Sequence, residues 1–60
     1  MSTALRHPMN PQQQAKWEAI DWAMRAITLA LHEATVAGLP DVAVELARLH
    51  ESARIRRDAA

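Results

Sequence analysis

The segment from Pro11 to Ala37 has no glycine and no proline after its first residue, and apolar residues cover most of the circumference of the helix that it would form. One apolar stripe repeats in steps of three and four, as in a coiled-coil seam: Trp17, Ile20, Met24, Ile27, Leu31 and Ala34. A narrow polar stripe follows one position later, from Glu18 to Thr35. One neighbouring helix would leave much of this apolar surface exposed, so we expect the segment to pack against more than one.

The rest of this helix surface carries a row of small residues beside a row of large ones. The small residues form the alanine face: Ala19, Ala23, Ala26 and Ala30. The large residues form the tryptophan ridge: Trp22, Leu29 and Val36. Alanine lets another helix approach closely, and the large residues supply apolar contact area. We therefore predict that the alanine face and the tryptophan ridge together form a self-association surface.

Capping signals mark where the helices begin and end. Asn10 is a favoured N-cap, Pro11 suits the first helical position, and Gln13 can complete a capping box. Gly38 tolerates the positive φ that often follows a helix, and Pro40 cannot continue one. A second helix follows, rich in Ala, Leu, Glu and Arg.

These signals predict an all-α fold, an antiparallel helical hairpin over residues 10–58. Helix 1 is expected at about 11–37, a Gly-Leu-Pro-Asp turn at 38–41, and helix 2 at about 41–57. In helix 2, the apolar stripe expected to pack on helix 1 is Val42, Leu46, Leu49 and Ala53, and it shades into Ala43, Ala47 and His50. Residues 1–9 show no periodicity and are expected to form a flexible N-terminal arm.

The chain is short and has no means of covalent stabilisation. It has 60 residues and no cysteine, and a domain of about this size buries only about 60% of the surface that its unfolded chain exposes. Without disulfides or a Cys/His zinc site, oligomerisation is the remaining common route to stability. We therefore expect the hairpin to dimerise into a four-helix bundle, with no metal and no cofactor.

The charge balance disfavours nucleic acid and membranes as general partners. Seven Lys and Arg residues match seven Asp and Glu residues, so no overall field attracts polyanions. No apolar stretch is long enough to span a bilayer, and the first residues lack the pattern of a signal peptide. We expect a cytoplasmic protein, and the excess of arginine over lysine with abundant alanine is typical of a small bacterial or phage protein.

One end of the hairpin carries a predicted partner-binding site, formed by Trp17, Arg54 and Arg57. In the expected register Trp17 lies near the end of helix 1 that extends past helix 2, where it could stack on Arg54. The same register places Arg57 beside Asp21 and Arg54 beside Glu18, so ion pairs within the hairpin also account for these arginines.

An alternative is that the arginines bind nucleic acid. The residues available for phosphate contacts are Arg48, Arg54, Arg56 and Arg57. No glycine-rich loop, aromatic stacking platform or helix-turn-helix pattern accompanies them, so this hypothesis is the weaker one.

The sequence contains no convincing catalytic or metal-binding pattern. Ser2 and Ser52 have no His/Asp arrangement to activate them, and we expect no enzymatic activity. His32 and His50 lie on different helices, several turns apart in the expected register, so a metal site within one chain is not predicted.

A long helix, a tight turn and a shorter helix between Gln12 and Arg57 resemble the Rop-type helical hairpin, which dimerises into a four-helix bundle. In that family, polar and basic groups on the paired first helices bind RNA. The corresponding stripe here, from Glu18 to Thr35, is not basic. The resemblance therefore implies the architecture without RNA binding.

We expect a small non-catalytic regulatory or adaptor protein, a homodimer that binds an unidentified second protein. The alternatives are a nucleic-acid-binding regulator and a structural subunit of a larger assembly.

Overall fold

A computed structural model describes residues 10–59 and shows two α-helices and no strand in that range. Helix α1 spans Pro11–Val36 and helix α2 spans Pro40–Ala59. They pack side by side and antiparallel, which confirms the all-helical hairpin. The flexible arm expected at residues 1–9 lies outside the described residues.

The start of α1 has the predicted capping box. The Gln13 backbone N–H donates to Asn10 Oδ1 at 2.8 Å, and the Asn10 backbone N–H donates to Gln13 Oε1 at 3.3 Å. Pro11 occupies the first helical position, where its missing N–H costs no hydrogen bond. Local chemistry therefore fixes where α1 begins.

The turn between the helices is a Schellman motif around Gly38. Gly38 has φ of 75°, its N–H donates to the Thr35 carbonyl at 3.1 Å, and the Leu39 N–H donates to the Ala34 carbonyl at 2.9 Å. Pro40 is the first residue of α2, and the Ala43 N–H donates to the Leu39 carbonyl at 3.0 Å. The chain therefore reverses direction in three residues, 37–39.

The core of the hairpin is small. Among the described residues, only Met24 and Ala34 are buried, each 6% exposed. The rest of the predicted α1 stripe, Trp17, Ile20, Ile27 and Leu31, is half-buried. This stripe is therefore the side of α1 that packs against α2.

The face of α2 that packs on α1 is rotated from the predicted stripe and shares Leu46 and Ala53 with it. Its half-buried residues are Ala43, Leu46, His50, Ala53 and Arg57. Val42 and Leu49, expected in this contact, are 42% and 54% exposed. The observed contact is centred on Leu46, His50 and Arg57, which lets Arg57 reach the carboxylate of Asp21 and leaves Val42 and Leu49 on the flank of the hairpin.

Candidate interaction surfaces

The predicted partner-binding end is built around Arg57. Its Nη1 donates to Asp21 Oδ1 at 2.8 Å, and its Cζ lies 5.4 Å from the centroid of the Trp17 ring. The side chains of Arg57 and Asp21 are 23% and 19% exposed, and Trp17 is half-buried. The prediction that Arg57 meets Asp21 is confirmed. Trp17 was expected to stack on Arg54. It stacks on Arg57 instead, because α2 continues to Ala59 and covers this end of α1.

Arg54 forms its ion pairs within α2. It contacts Glu51 Oε2 at 2.6 Å and Asp58 Oδ2 at 3.1 Å. Its hydrogen bond holds the pKa of the Glu51 carboxyl below its ordinary value and raises the pKa of Arg54. The expected pairing of Arg54 with Glu18 is wrong, because partners three and four residues away on the same helix are closer. Glu18 instead accepts a hydrogen bond from Gln14 at 3.2 Å.

The four arginines proposed as phosphate contacts differ in their ion pairs. Arg54 and Arg57 are held by carboxylates. Arg48 and Arg56 form no ion pair with any residue in 10–59. They are eight positions apart, about 80° around α2 and about 12 Å along it. The arginines therefore do not form one continuous basic patch.

The tryptophan ridge lies on the side of α1 opposite α2. Trp22, Leu29 and Val36 are 67%, 63% and 71% exposed. The Arg25 guanidinium lies 5.0 Å from the centroid of the Trp22 ring and contacts Asp21 at 3.3 Å. Arg25 thus shields one edge of the ridge, and the rest of it is open.

The alanine face lies on one flank of the hairpin, beside exposed residues of α2. Its four alanines are all exposed. A shallow groove joins the two helices there, with Ala19 and Ile20 on one side and Arg56 on the other. Val42 and Leu49 precede Arg56 in steps of seven, so they lie on the same flank. This apolar surface therefore spans both helices.

The α2 half of this flank, Val42, Leu49 and Arg56, was not predicted as a surface. Its seven-residue spacing was visible in the sequence, but Val42 and Leu49 looked like ordinary packing positions of α2. A second groove runs along α2 next to it, lined by Val42 and Leu49, by the acidic groups of Asp41 and Glu45, and by Arg48. The turn end of this apolar flank thus carries two carboxylates and one guanidinium, and its open end carries Arg56.

The histidines do not converge. His50 is half-buried between the helices, and His32 is exposed on α1. Within residues 10–59, no group of three or more His, Cys, Asp or Glu side chains is placed to hold a metal ion. Neither α1 nor α2 has the length and apolar character needed to cross a membrane.

No protein-family model matches the chain, and comparison with curated proteins and with solved structures finds no significant similarity. What the chain does is therefore inferred from its own surfaces.

Proposed function

We propose that this chain is a small non-catalytic regulatory or adaptor protein that acts through protein–protein interaction as a homodimeric four-helix bundle. One observation carries the proposal: the hairpin exposes far more large apolar side chains than it buries. Met24 is the only large apolar residue buried among those described. Large apolar residues at least 42% exposed are Trp22, Leu29, Val36, Leu39, Val42, Val44, Leu49 and Ile55.

Such a surface supports a binding role because contiguous exposed apolar area on a small protein marks an interaction site. A hairpin with two buried side chains also has little core of its own, and a second copy would supply the missing contacts. Self-association and binding of a further protein require separate surfaces. The alanine face and the tryptophan ridge were predicted together as one self-association surface. Because they lie on different sides of α1, we now assign the alanine face and its α2 neighbours to self-association and the ridge to a further protein.

The predicted partner site at Trp17, Arg54 and Arg57 has a narrower role in this proposal. Arg57 is committed to Asp21, and Arg54 is committed to Glu51 and Asp58. A partner at this end would meet the exposed edge of Trp17 and part of Arg54. The same commitments weaken the nucleic-acid hypothesis, since phosphate contacts would have to replace these carboxylates.

Sedimentation equilibrium over a wide concentration range tests the proposal. We expect a mass of twice the 6.7 kDa chain, falling towards one chain on dilution. A single-chain mass at every concentration would overturn the homodimer.

Titration of labelled RNA and duplex DNA of mixed sequence tests the competing function. We expect no saturable binding at about 50 mM salt. Tight binding that weakens steeply towards about 200 mM salt would indicate phosphate contacts and overturn the adaptor role.

A further inference from the structure

We propose that the second copy packs antiparallel on one flank of the hairpin, the flank formed by the alanine face of α1 together with Val42, Leu49 and Arg56 of α2. This inference rests on the homodimer proposed above and specifies its face and direction. It leaves the tryptophan ridge outside the interface, available to a different protein.

The alternation of exposure along α1 identifies the flank. In a four-helix bundle each helix directs one seam, repeating in steps of three and four, towards the bundle centre. Three positions of this seam in α1 face α2 and are covered by it: Ile20, Ile27 and Ala34. The positions between them are exposed: Ala23 and Ala30. Half of the seam is thus covered by α2, and the other half has no neighbour among the described residues.

Helix α2 shows the same alternation. Leu46 and Ala53 are half-buried against α1, while Val42, Leu49 and Arg56 are exposed. The open positions of α1 are alanines, whereas those of α2 include a valine and a leucine. In an antiparallel pair of hairpins, α1 lies on α1 of the copy, where the alanines allow close approach, and α2 lies on α2 of the copy, where the valine and leucine supply apolar contact area. Both helices therefore present the seam of a four-helix bundle on the same flank.

The tryptophan ridge does not share this arrangement. Trp22, Leu29 and Val36 recur in steps of seven on α1 alone, and they lie opposite α2. A copy packed on the ridge would contact one helix of the hairpin, whereas a copy packed on the flank contacts both. The flank therefore offers the larger and flatter surface.

The area of the flank is sufficient for a dimer. The helices overlap along the 20 residues of α2, about 30 Å, and the hairpin is 21 Å wide. A second copy covering this surface would bury about 600 Å² on each chain, or about 1,200 Å² in total, which is the lower end of the range for specific interfaces.

Charge on the flank selects a second copy in the antiparallel direction. Lys16 and Arg56 lie at its open end. Asp41 and Glu45 lie at its turn end, in a groove that Arg48 also lines, so carboxylates outnumber guanidinium groups there by two to one. A two-fold axis passing near Leu49 brings each basic end onto the acidic end of the copy, with Arg56 between the partner's Asp41 and Glu45. A parallel copy would place like charges together at both ends. Complementary charge at an interface favours one direction over the other.

Charge reversal tests both the face and the direction. Arg56→Glu should place three carboxylates together at each end of the dimer and raise its dissociation constant about tenfold, which is two exposed pairs at about 0.7 kcal/mol each. Glu45→Lys should also raise the dissociation constant of the dimer. The double variant R56E/E45K should recover most of the affinity. Positions 45 and 56 are 11 residues apart in one helix, about 16 Å, so this recovery requires contact between chains.

Arg25→Glu is the matched control, because it makes the same charge change at an exposed position in the polar stripe of α1, away from the alanine face, and it should leave the dissociation constant within about twofold. Circular dichroism of each variant checks that the helices are retained. A dimeric wild type that R56E does not weaken, or a double variant weaker than both singles, would overturn the proposed face while leaving the homodimer intact. Tighter association of R56E would indicate the parallel arrangement and overturn the direction. A monomeric wild type would overturn the homodimer itself.

Discussion

Arg57 in the last turn of α2 and Asp21 in α1 form an ion pair across 36 residues of sequence, with 2.8 Å between Nη1 and Oδ1. It is the only ion pair between the two helices in the range 10–59. Asp21 also contacts Arg25, and Arg57 covers the Trp17 ring. This pair fixes the register of the hairpin at its open end, as Gly38 does at the turn.

Removal of this pair should destabilise the hairpin measurably. Both side chains are less than a quarter exposed, so Arg57→Ala and Asp21→Ala should each lower the free energy of unfolding by about 1 to 2 kcal/mol. In a double-mutant cycle the coupling energy should be about 1 kcal/mol. Urea unfolding followed by circular dichroism at one protein concentration measures all four corners of the cycle.

Arg48→Ala is the control for the loss of an arginine, because Arg48 forms no ion pair within residues 10–59. It should change stability by less than about 0.5 kcal/mol. A coupling energy near zero between positions 21 and 57 would show that the pair does not hold the register.

The contrast between Met24 and Leu29 tests which side of α1 is the core. Met24 is 6% exposed and Leu29 is 63% exposed. Met24→Ala should lower the free energy of unfolding by about 2 kcal/mol or more, through lost burial and an added cavity. Leu29→Ala should change it by less than about 0.5 kcal/mol. Equal losses of unfolding free energy for the two variants would mean that the tryptophan ridge is buried in solution.

Gly38 should be needed for its backbone conformation and not for its size. Its φ is 75°, and an added Cβ would meet no atom within 4 Å. Gly38→Ala should therefore cost about 1 kcal/mol of unfolding free energy from backbone strain alone. Gly38→Asn should cost less, because asparagine tolerates positive φ better. Thermal unfolding of the three proteins in parallel measures this order, and an Asn variant less stable than the Ala variant would contradict it.

The Glu51 carboxyl should titrate at a lower pH in the folded chain than in the urea-unfolded chain. The hydrogen bond from Arg54 favours its charged form and lowers its pKa. Because the folded pKa is the lower one, any stability from this pair is present above the unfolded pKa and is lost as pH falls through the folded pKa. NMR titration of the side-chain carboxyl carbon measures the shift. Arg54→Gln should move the pKa back towards its ordinary value, and an unchanged titration in that variant would exclude the pair as the cause.

Local signals made much of the fold predictable. The capping box of Asn10 and Gln13, the positive φ of Gly38 and the apolar stripe through Met24 each depend on a few neighbouring residues. The antiparallel register followed from the turn, and it placed Arg57 beside Asp21. These features depend on sequence spacing alone, so no knowledge of tertiary packing was needed.

The rotation of α2 and the partners of Arg54 were less accessible to prediction. Apolar residues cover several sides of α2, so Leu49 and His50 were both reasonable packing positions. Which of the two faces α1 depends on all the side chains in the contact between the helices and not on one position. Arg54 had carboxylates in reach on both helices, and only side-chain geometry shows that Glu51 and Asp58 are its partners. As a result, the α2 half of the candidate interface was missed.

Disulfide cross-linking tests most directly the central claim that a second copy covers the flank around Leu49. The chain has no cysteine, so Leu49→Cys and Leu29→Cys each introduce one thiol, at similarly exposed positions. In the proposed dimer Leu49 lies beside Leu49 of the copy, whereas Leu29 lies on the outer tryptophan ridge. Mild oxidation at low protein concentration should convert the Leu49→Cys protein rapidly to a covalent dimer and leave the Leu29→Cys protein mostly monomeric on a non-reducing gel. Equal cross-linking of both, or faster cross-linking at position 29, would contradict the claim.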